Sequence, residues 1–225
     1  MSGAPGLDNL IDFSPIPRSN LEATYGFKLD QPPLLVTFHP VTLEPQNVTA
    51  QIDALIAALE LTDIPVVFTY PNADSSNLTI INAIERFIRN NDNAWLIVNL
   101  GTNAYFSLME RAIAMVGNSS SGIIEAASFE LPVVNIGTRQ DGRVHPPNVI
   151  DVNPDKESII GGIHYAISPG FKKSIAKIEN PYGNGNAAKL IVTTLKNSPL
   201  GDKLLRKRFQ DLNQVGPIDI PDGVR

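Results

Sequence analysis

The chain has 225 residues, 43% of them hydrophobic, with a formal charge of −5 and a pI near 5.2. That is apolar content enough for an α/β core, and it leaves no basic surface able to neutralise a run of nucleic-acid phosphates. Cysteine is absent, which excludes disulfides, thiolate metal sites and cysteine nucleophiles.

Residues 1–33 hold five prolines and no clear strand, which predicts a connector. The start, Met1-Ser-Gly-Ala-Pro-Gly, has no basic stretch followed by an apolar one, and no later run is long enough to span a bilayer. The sequence therefore reads as cytoplasmic, with neither a membrane nor a nucleic-acid partner. From Leu34 a unit repeats: a short apolar run, a polar turn, an amphipathic helix pattern. The runs are 34–38, 66–70, 94–98, 115–116, 133–136 and 149–152, apolar on both faces as buried parallel strands are. Val48, Ile52, Leu55, Ile56 and Leu59 mark one helix face, and Ile80, Ile81, Ile84, Phe87 and Ile88 another. Helices are also predicted over 155–167 and 186–195, and Pro199 opens a last one with Leu204, Leu205, Phe209 and Leu212 before an irregular tail at 216–225. The fold class expected is α/β, one Rossmann-like, doubly wound parallel sheet over residues 34–197, with a C-terminal helix and tail over 198–225.

Met115-Val-Gly-Asn-Ser-Ser-Ser-Gly-Ile-Ile-Glu-Ala-Ala is the most informative stretch. A strand ends, small polar residues turn the chain, and a helix begins. Backbone N–H groups and the hydroxyls of Ser119, Ser120 and Ser121 then converge beside Gly122 where an anion could sit. The alternative is that Ser120 or Ser121 only caps the helix. Glu125 is not half of a capping box, because Gly122 stands three residues before it. Arg139 and Arg143 follow the next strand at its carboxyl end, and two guanidinium groups beside a serine-rich turn favour an anionic ligand. His39 follows the first strand and is either packed or functional; it is the group expected to titrate near neutrality at this edge. Asn72 and Asp74 close the second strand, reaching a ligand or forming an Asx turn. His39, His145 and His164 have no metal-ligand spacing, so no metal is implied, nor any cofactor. Asn118 stands in an Asn-x-Ser triplet, which carries no glycosylation message without a secretory signal.

Six stretches in order resemble the UDP-N-acetylglucosamine 2-epimerases: Gly3-Ala-Pro-Gly-Leu-Asp-Asn, Thr37-Phe-His-Pro, Tyr70-Pro-Asn-Ala-Asp, Gly117-Asn-Ser-Ser-Ser-Gly-Ile-Ile-Glu-Ala, Asn135-Ile-Gly-Thr-Arg-Gln-Asp-Gly-Arg and Asn180-Pro-Tyr-Gly-Asn-Gly-Asn-Ala. The resemblance implies the C-terminal half of a two-domain, GT-B-type enzyme. Residues 1–33 would then be the hinge from an N-terminal domain that carries the catalytic carboxylates and is missing here. The fifth stretch is similar to the hydrolysing branch, which releases UDP and N-acetylmannosamine by elimination and then hydration; the non-hydrolysing outcome and a non-catalytic UDP-sugar binding module are the alternatives. By the same resemblance Ser119, Ser120 and Ser121 hold the diphosphate, Glu125 the ribose, and Arg139 the phosphates or the neighbouring loop. His39 lies beside the diphosphate and sugar as the catalytic candidate. Family enzymes assemble as dimers or larger, so a homo-oligomer is the expected assembly.

Overall fold

Leu34 and Val36 pack on one side of the first strand and Leu35 on the other, all three fully buried. A strand that is apolar on both faces needs cover on both, which a parallel sheet with crossover helices supplies. In the computed structural model, which describes residues 2–42, 44–74, 76–201 and 205, six strands form one such sheet. They are β1 (Leu34–Thr37), β2 (Val66–Thr69), β3 (Ala94–Ile97), β4 (Ala114–Gly117), β5 (Val133–Ile136) and β6 (Val149–Val152). The order is β3-β2-β1-β4-β5-β6 and every neighbouring pair is parallel. Each apolar run read from the sequence is a strand, and the doubly wound α/β sheet is present.

The helices are α1 (Arg18–Tyr25), α2 (Val48–Leu59), α3 (Asn77–Arg89), α4 (Gly101–Met109), α5 (Ser120–Ile124), α6 (Lys156–Ala166), α7 (Pro169–Ser174) and α8 (Ala187–Asn197). One face of the sheet is covered by α2, α3 and α6, through Ile52, Leu55, Ile80, Ile84, Ile159 and Ile163. Both stripes read from the sequence lie on this face. The other face is covered by α4 and by the chain around α1, through Leu21, Phe27, Phe106, Leu108 and Met109.

The segment expected to be a connector is built into that second face. Leu7 and Leu21 are fully buried, the Ile16 N–H donates to the Ser107 hydroxyl at 2.9 Å, and the Tyr25 hydroxyl donates to the Leu100 carbonyl at 2.9 Å. The Asp8 carboxylate accepts the N–H groups of Ala187 and Ala188 at 2.9 and 2.7 Å. Its prolines delimit short turns, a 3₁₀ turn at Pro5–Leu10 and α1 after Pro17, and neither is long enough to show a periodic stripe. Residues 1–188 make one unit, which holds the whole sheet, and 189–225 a second, of which α8 is the described element. The helix expected after Pro199 and the tail lie outside the described residues, apart from Leu205.

The sheet order reverses between β1 and β4, which pair in register from Leu34 with Ala114 to Thr37 with Gly117. Crossover helices leave that point in opposite directions, so a crevice opens at the carboxyl ends of these two strands. Gly117 makes the close approach possible. Its φ is +135°, and a β carbon there would lie 2.0 Å from the Thr37 carbonyl oxygen. Neither the backbone nor that oxygen can yield cheaply. Gly117→Ala should therefore cost at least about 3 kcal/mol of unfolding free energy or prevent folding; a urea midpoint like the parent's would show that the two strand ends are not held this closely.

Candidate functional site

Asn118 is fully buried at the crevice and uses its side chain and main chain together. Its amide brackets the backbone of His39: Oδ1 accepts the His39 N–H at 2.7 Å and Nδ2 donates to the His39 carbonyl at 2.9 Å. Its own N–H donates to the Thr37 carbonyl at 3.1 Å. Its carbonyl accepts from Arg139 at 3.0 Å and from the Gln140 side-chain amide at 2.7 Å. One residue thus ties the ends of β1 and β4 and the turn after β5.

The turn after Asn118 begins with Ser119, which is the actual N-cap of α5: its hydroxyl accepts the Ser121 N–H at 3.3 Å. Ser120 is therefore not spent on capping. The three serines are half-buried. Gly122 is a packing residue, buried, with its N–H on the Ser119 carbonyl at 3.2 Å; a β carbon there would sit 2.9 Å from Val133 Cγ1. With five residues followed by a 3₁₀ turn at Ala126–Phe129, α5 has little macrodipole. Any anion held here is held by local N–H and hydroxyl donors and by arginine.

His39 is 7% exposed. Its Nδ1 accepts the Asn72 N–H at 3.0 Å, which fixes the proton of the neutral ring on Nε2. Asn72 thus meets the site through its backbone, while its side chain is exposed. Burial, with Arg139 adding to it and Asp74 opposing, lowers the His39 pKa to about 4. The histidine expected to titrate near neutrality is therefore a neutral N–H donor there. Desolvation outweighs the single carboxylate nearby.

Arg139 is half-buried, and burial draws its pKa down, with Asp74 opposing and Arg143 adding to the effect. It stays charged. Arg143 is exposed at the rim. Asp74 receives the Asn77 N–H on its backbone carbonyl at 3.2 Å, and the residue before α3 is Ser76 with φ +74°. Asp74 therefore meets the site as a charge.

Beside the serine turn a cleft of about 410 Å³ is lined by Asn9, Tyr70, Leu100, Tyr105, Phe106 and Glu125, among others. Burial raises the Glu125 pKa, opposed by the Ser121 hydroxyl, and Glu125 Oε2 is buried without a hydrogen-bond partner among the described residues. Burial also pushes the Tyr105 phenol up to about 12, with the Ser121 and Thr37 hydroxyls beside it acting the other way. His39, Ser119, Ser120, Ser121, Arg139 and the backbone of Asn72 thus gather at the crevice, with Glu125 in the adjoining cleft. Sequence reasoning missed Asn118, Gln140 and Tyr105. A polar residue directly after a strand was the available signal for Asn118.

The sequence model of the family described as UDP-N-acetylglucosamine 2-epimerase matches residues 1–196. The chain belongs to this family. It is 35% identical over 205 residues to UDP-N,N'-diacetylbacillosamine 2-epimerase (hydrolyzing) of Legionella pneumophila, covering 91% of this chain and 53% of that protein. It is 40% identical over 202 residues to GDP/UDP-N,N'-diacetylbacillosamine 2-epimerase (hydrolyzing) of Campylobacter jejuni, covering 87% and 51%. The chain thus spans about half the length of the curated relatives it matches. The S. aureus MnaA–UDP co-structure shares the epimerase fold, with a TM-score of 0.67 at 18% identity over 87% of this chain and 52% of that one. No helix among the described residues is long and apolar enough to cross a membrane, and none of them form a group of three or more His, Asp or Glu able to hold a metal ion.

The His39 pKa fixes a pH dependence. Its folded value, about 4, lies below the ordinary 6.5, so the unfolded chain takes up the proton first. The resulting stability is complete above pH 6.5 and is lost as pH falls through 4. His39→Asn keeps an acceptor near the Nδ1 position but does not titrate. Between pH 7 and 4 the parent should lose about 1 to 3 kcal/mol more than this variant. Parallel stability curves for the two proteins would place the histidine in solvent.

Proposed function

We propose that the chain is the nucleotide-binding half of a hydrolysing 2-epimerase that acts on a UDP-linked acetamido sugar. The observation that carries this reading is the juxtaposition at the β1–β4 crevice. A serine-rich turn and Arg139 adjoin a cleft whose wall bears aromatic rings and a buried, unpartnered carboxylate oxygen. The turn and arginine suit a diphosphate, the aromatic and aliphatic wall suits a base, and Glu125 suits the paired hydroxyls of a ribose.

In the family reaction a base removes the C2 proton, the C1–O bond breaks and UDP departs with the electron pair. Water then adds across the C1–C2 double bond, placing OH on C1 and a proton on the opposite face of C2. This half would act on the leaving group. Arg139, the His39 Nε2–H and the turn donors stabilise charge that grows on the phosphate oxygen as the bond breaks. His39 does not suit the role of base at C2, because Nδ1 is occupied by Asn72 and Nε2 carries the proton. The groups that move the C2 proton and assist hydration would come from the other half of the cleft. A second reading is favoured by the Legionella and Campylobacter relatives at 35% and 40% identity: the sugar is N,N'-diacetylbacillosamine rather than N-acetylglucosamine.

Calorimetry on the 225-residue chain tests the binding reading. UDP should bind in the micromolar to millimolar range, about −8 to −4 kcal/mol, and uridine far more weakly. Arg139→Ala should cost about 1.5 to 3 kcal/mol of UDP affinity, while Gln140 keeps the Asn118 carbonyl engaged. Ser120→Ala should cost less. Equal affinity for uridine and UDP would remove the phosphate site from this crevice.

Activity gives a separate test. Each positioned acid or base contributes about 10²- to 10⁴-fold, so the chain alone should release no measurable UDP from UDP-N-acetylglucosamine. A homologous N-terminal domain, added in trans or fused before Gly3, should restore release. Retention of UDP on the epimerised sugar would assign the non-hydrolysing branch, and no turnover with either substrate would leave a binding module. Robust turnover by the unassisted chain would mean that the catalytic groups have been misassigned.

A further inference from the structure

The chain between β5 and β6 carries Arg139 and Gln140 to the Asn118 carbonyl and returns to the sheet through His145, a residue that the proposed nucleotide site does not use. We propose that His145, as an imidazolium, is a positioning residue for the phosphate site: it clamps this turn to β6 and so holds Arg139 in place, and nucleotide affinity depends on its proton. This role rests on the nucleotide reading above, and it is exercised through the turn rather than by contact with the ligand.

Both ring nitrogens of His145 meet oxygens that accept. Nδ1 lies 2.8 Å from Asp151 Oδ2, and Nε2 lies 3.2 Å from the Gln140 carbonyl oxygen. The carbonyl has no hydrogen to give, and the Asp151 carboxylate already takes the Asn135 amide hydrogen on Oδ1 at 2.8 Å. A neutral imidazole has one N–H and one lone pair, so in either tautomer one nitrogen lone pair would face an oxygen lone pair. Only the doubly protonated ring donates on both sides. His39 is the reverse case, since its Nδ1 meets an N–H donor. The surrounding charges agree with the cation. Burial alone would lower the His145 pKa, but the hydrogen bonds to Asp151 and the Gln140 carbonyl, with the charges of Asp151 on β6 and Asp141 on the turn, outweigh it and raise the value. The other ionisable groups at the turn are engaged elsewhere or exposed. Glu44, from the loop after β1, accepts the Thr138 hydroxyl at 3.1 Å, the Tyr182 phenol donates to the Val144 carbonyl at 3.0 Å, and Arg143 is exposed.

The clamp closes on the residue next to Arg139. Gln140 is buried, and its side-chain amide shares the Asn118 carbonyl with the Arg139 guanidinium. Its own carbonyl takes the Arg143 N–H at 3.3 Å as well as His145 Nε2. Through Asp151 the same ring is tied to β6, which pairs with β5 along its length. The stretch that the clamp spans has little packing of its own, because Asp141, Gly142, Arg143 and Val144 are all exposed. Loss of one proton turns one of the two ring bonds into a contact between lone pairs. The Gln140 peptide is then released from one side, and the adjoining Arg139 loses part of the support that fixes it. A guanidinium so loosened must be ordered again when it meets a phosphate, which weakens binding.

The test is the pH dependence of UDP binding to the 225-residue chain, by calorimetry, for the parent, His145→Gln and Asp151→Asn, with the imidazole signals followed by NMR. A terminal phosphate gains its second charge near about pH 6, equally for all three proteins. His39, with a pKa of about 4, stays neutral above that. The folded His145 pKa is raised, so the clamp is complete at the acid end and is lost as pH rises through that value. From about pH 6 to about pH 9 the affinity of the parent should therefore fall about 3- to 10-fold relative to that of His145→Gln. By linkage, UDP should raise the midpoint of the His145 ring titration by about 0.5 to 1 pH unit, the logarithm of the same factor. A histidine that only packs would show neither effect. Asp151→Asn keeps shape and an acceptor while removing the charge, and it should move the ring midpoint and the affinity profile down together. Parallel affinity profiles for the parent and His145→Gln, a ring midpoint that UDP leaves unchanged, or a midpoint and profile that part company in Asp151→Asn would overturn the clamp while leaving the nucleotide reading standing. Failure of UDP to bind the parent at any pH would overturn both.

Discussion

The site depends on how one buried amide is satisfied. Asn118 sits where β4 stops pairing, in a place closed to water, so every donor and acceptor it carries must be met by protein. It meets them by bracketing the His39 backbone and by offering its carbonyl to Arg139 and Gln140. The positions of a histidine, an arginine and a serine turn, drawn from three separate loops, are thereby made mutually dependent. An aspartate in its place would keep the acceptor but lose the donor to the His39 carbonyl, and would bury a charge beside a neutral imidazole. No single substitution at Arg139 or the serines would disturb the others so directly.

That arrangement also settles which charges the crevice presents. Burial suppresses the imidazolium, so the positive charge resides on Arg139 and, at the rim, on Arg143. Asp74 partly offsets it from the opposite lip. The outcome is a pocket of fixed N–H donors with one half-buried cation. Fixed donors of this kind need no reorganisation to meet developing or bound negative charge, which is what the proposed nucleotide site would ask of them.

The sheet was legible because its strands are short apolar runs separated by strong turn signals, and because α2 and α3 each carry one clean stripe. α4 was not legible: Phe106 to Met109 are buried consecutively, so no 3.6-residue alternation marks the helix. The N-terminal segment escaped for a related reason, since its buried Leu7 and Leu21 stand in short turns and a two-turn helix that leave no local period. In the site, residue types and their place at strand ends pointed to His39, the serines and Arg139. What a linear reading could not supply was pairing. That Ser119 caps rather than Ser120 or Ser121, that burial keeps the histidine neutral, and that Asn118 is a hub all depend on contacts the linear order does not show.

The bond from Asp8 to the first turn of α8 has a consequence for the order of folding. The carboxylate is synthesised well before the N–H groups it receives, which lie about 180 residues further along the sequence. Ala4 and Gly3 are similarly fitted against Tyr182 and Gly183. Loop closure over such a span is slow relative to forming adjacent βαβ units. On a ribosome residues 3–8 would wait for these contacts until β6 and the chain beyond it had emerged. A late step of assembly would then be the knitting of residues 3–8 onto residues 182–188, which are made long after them.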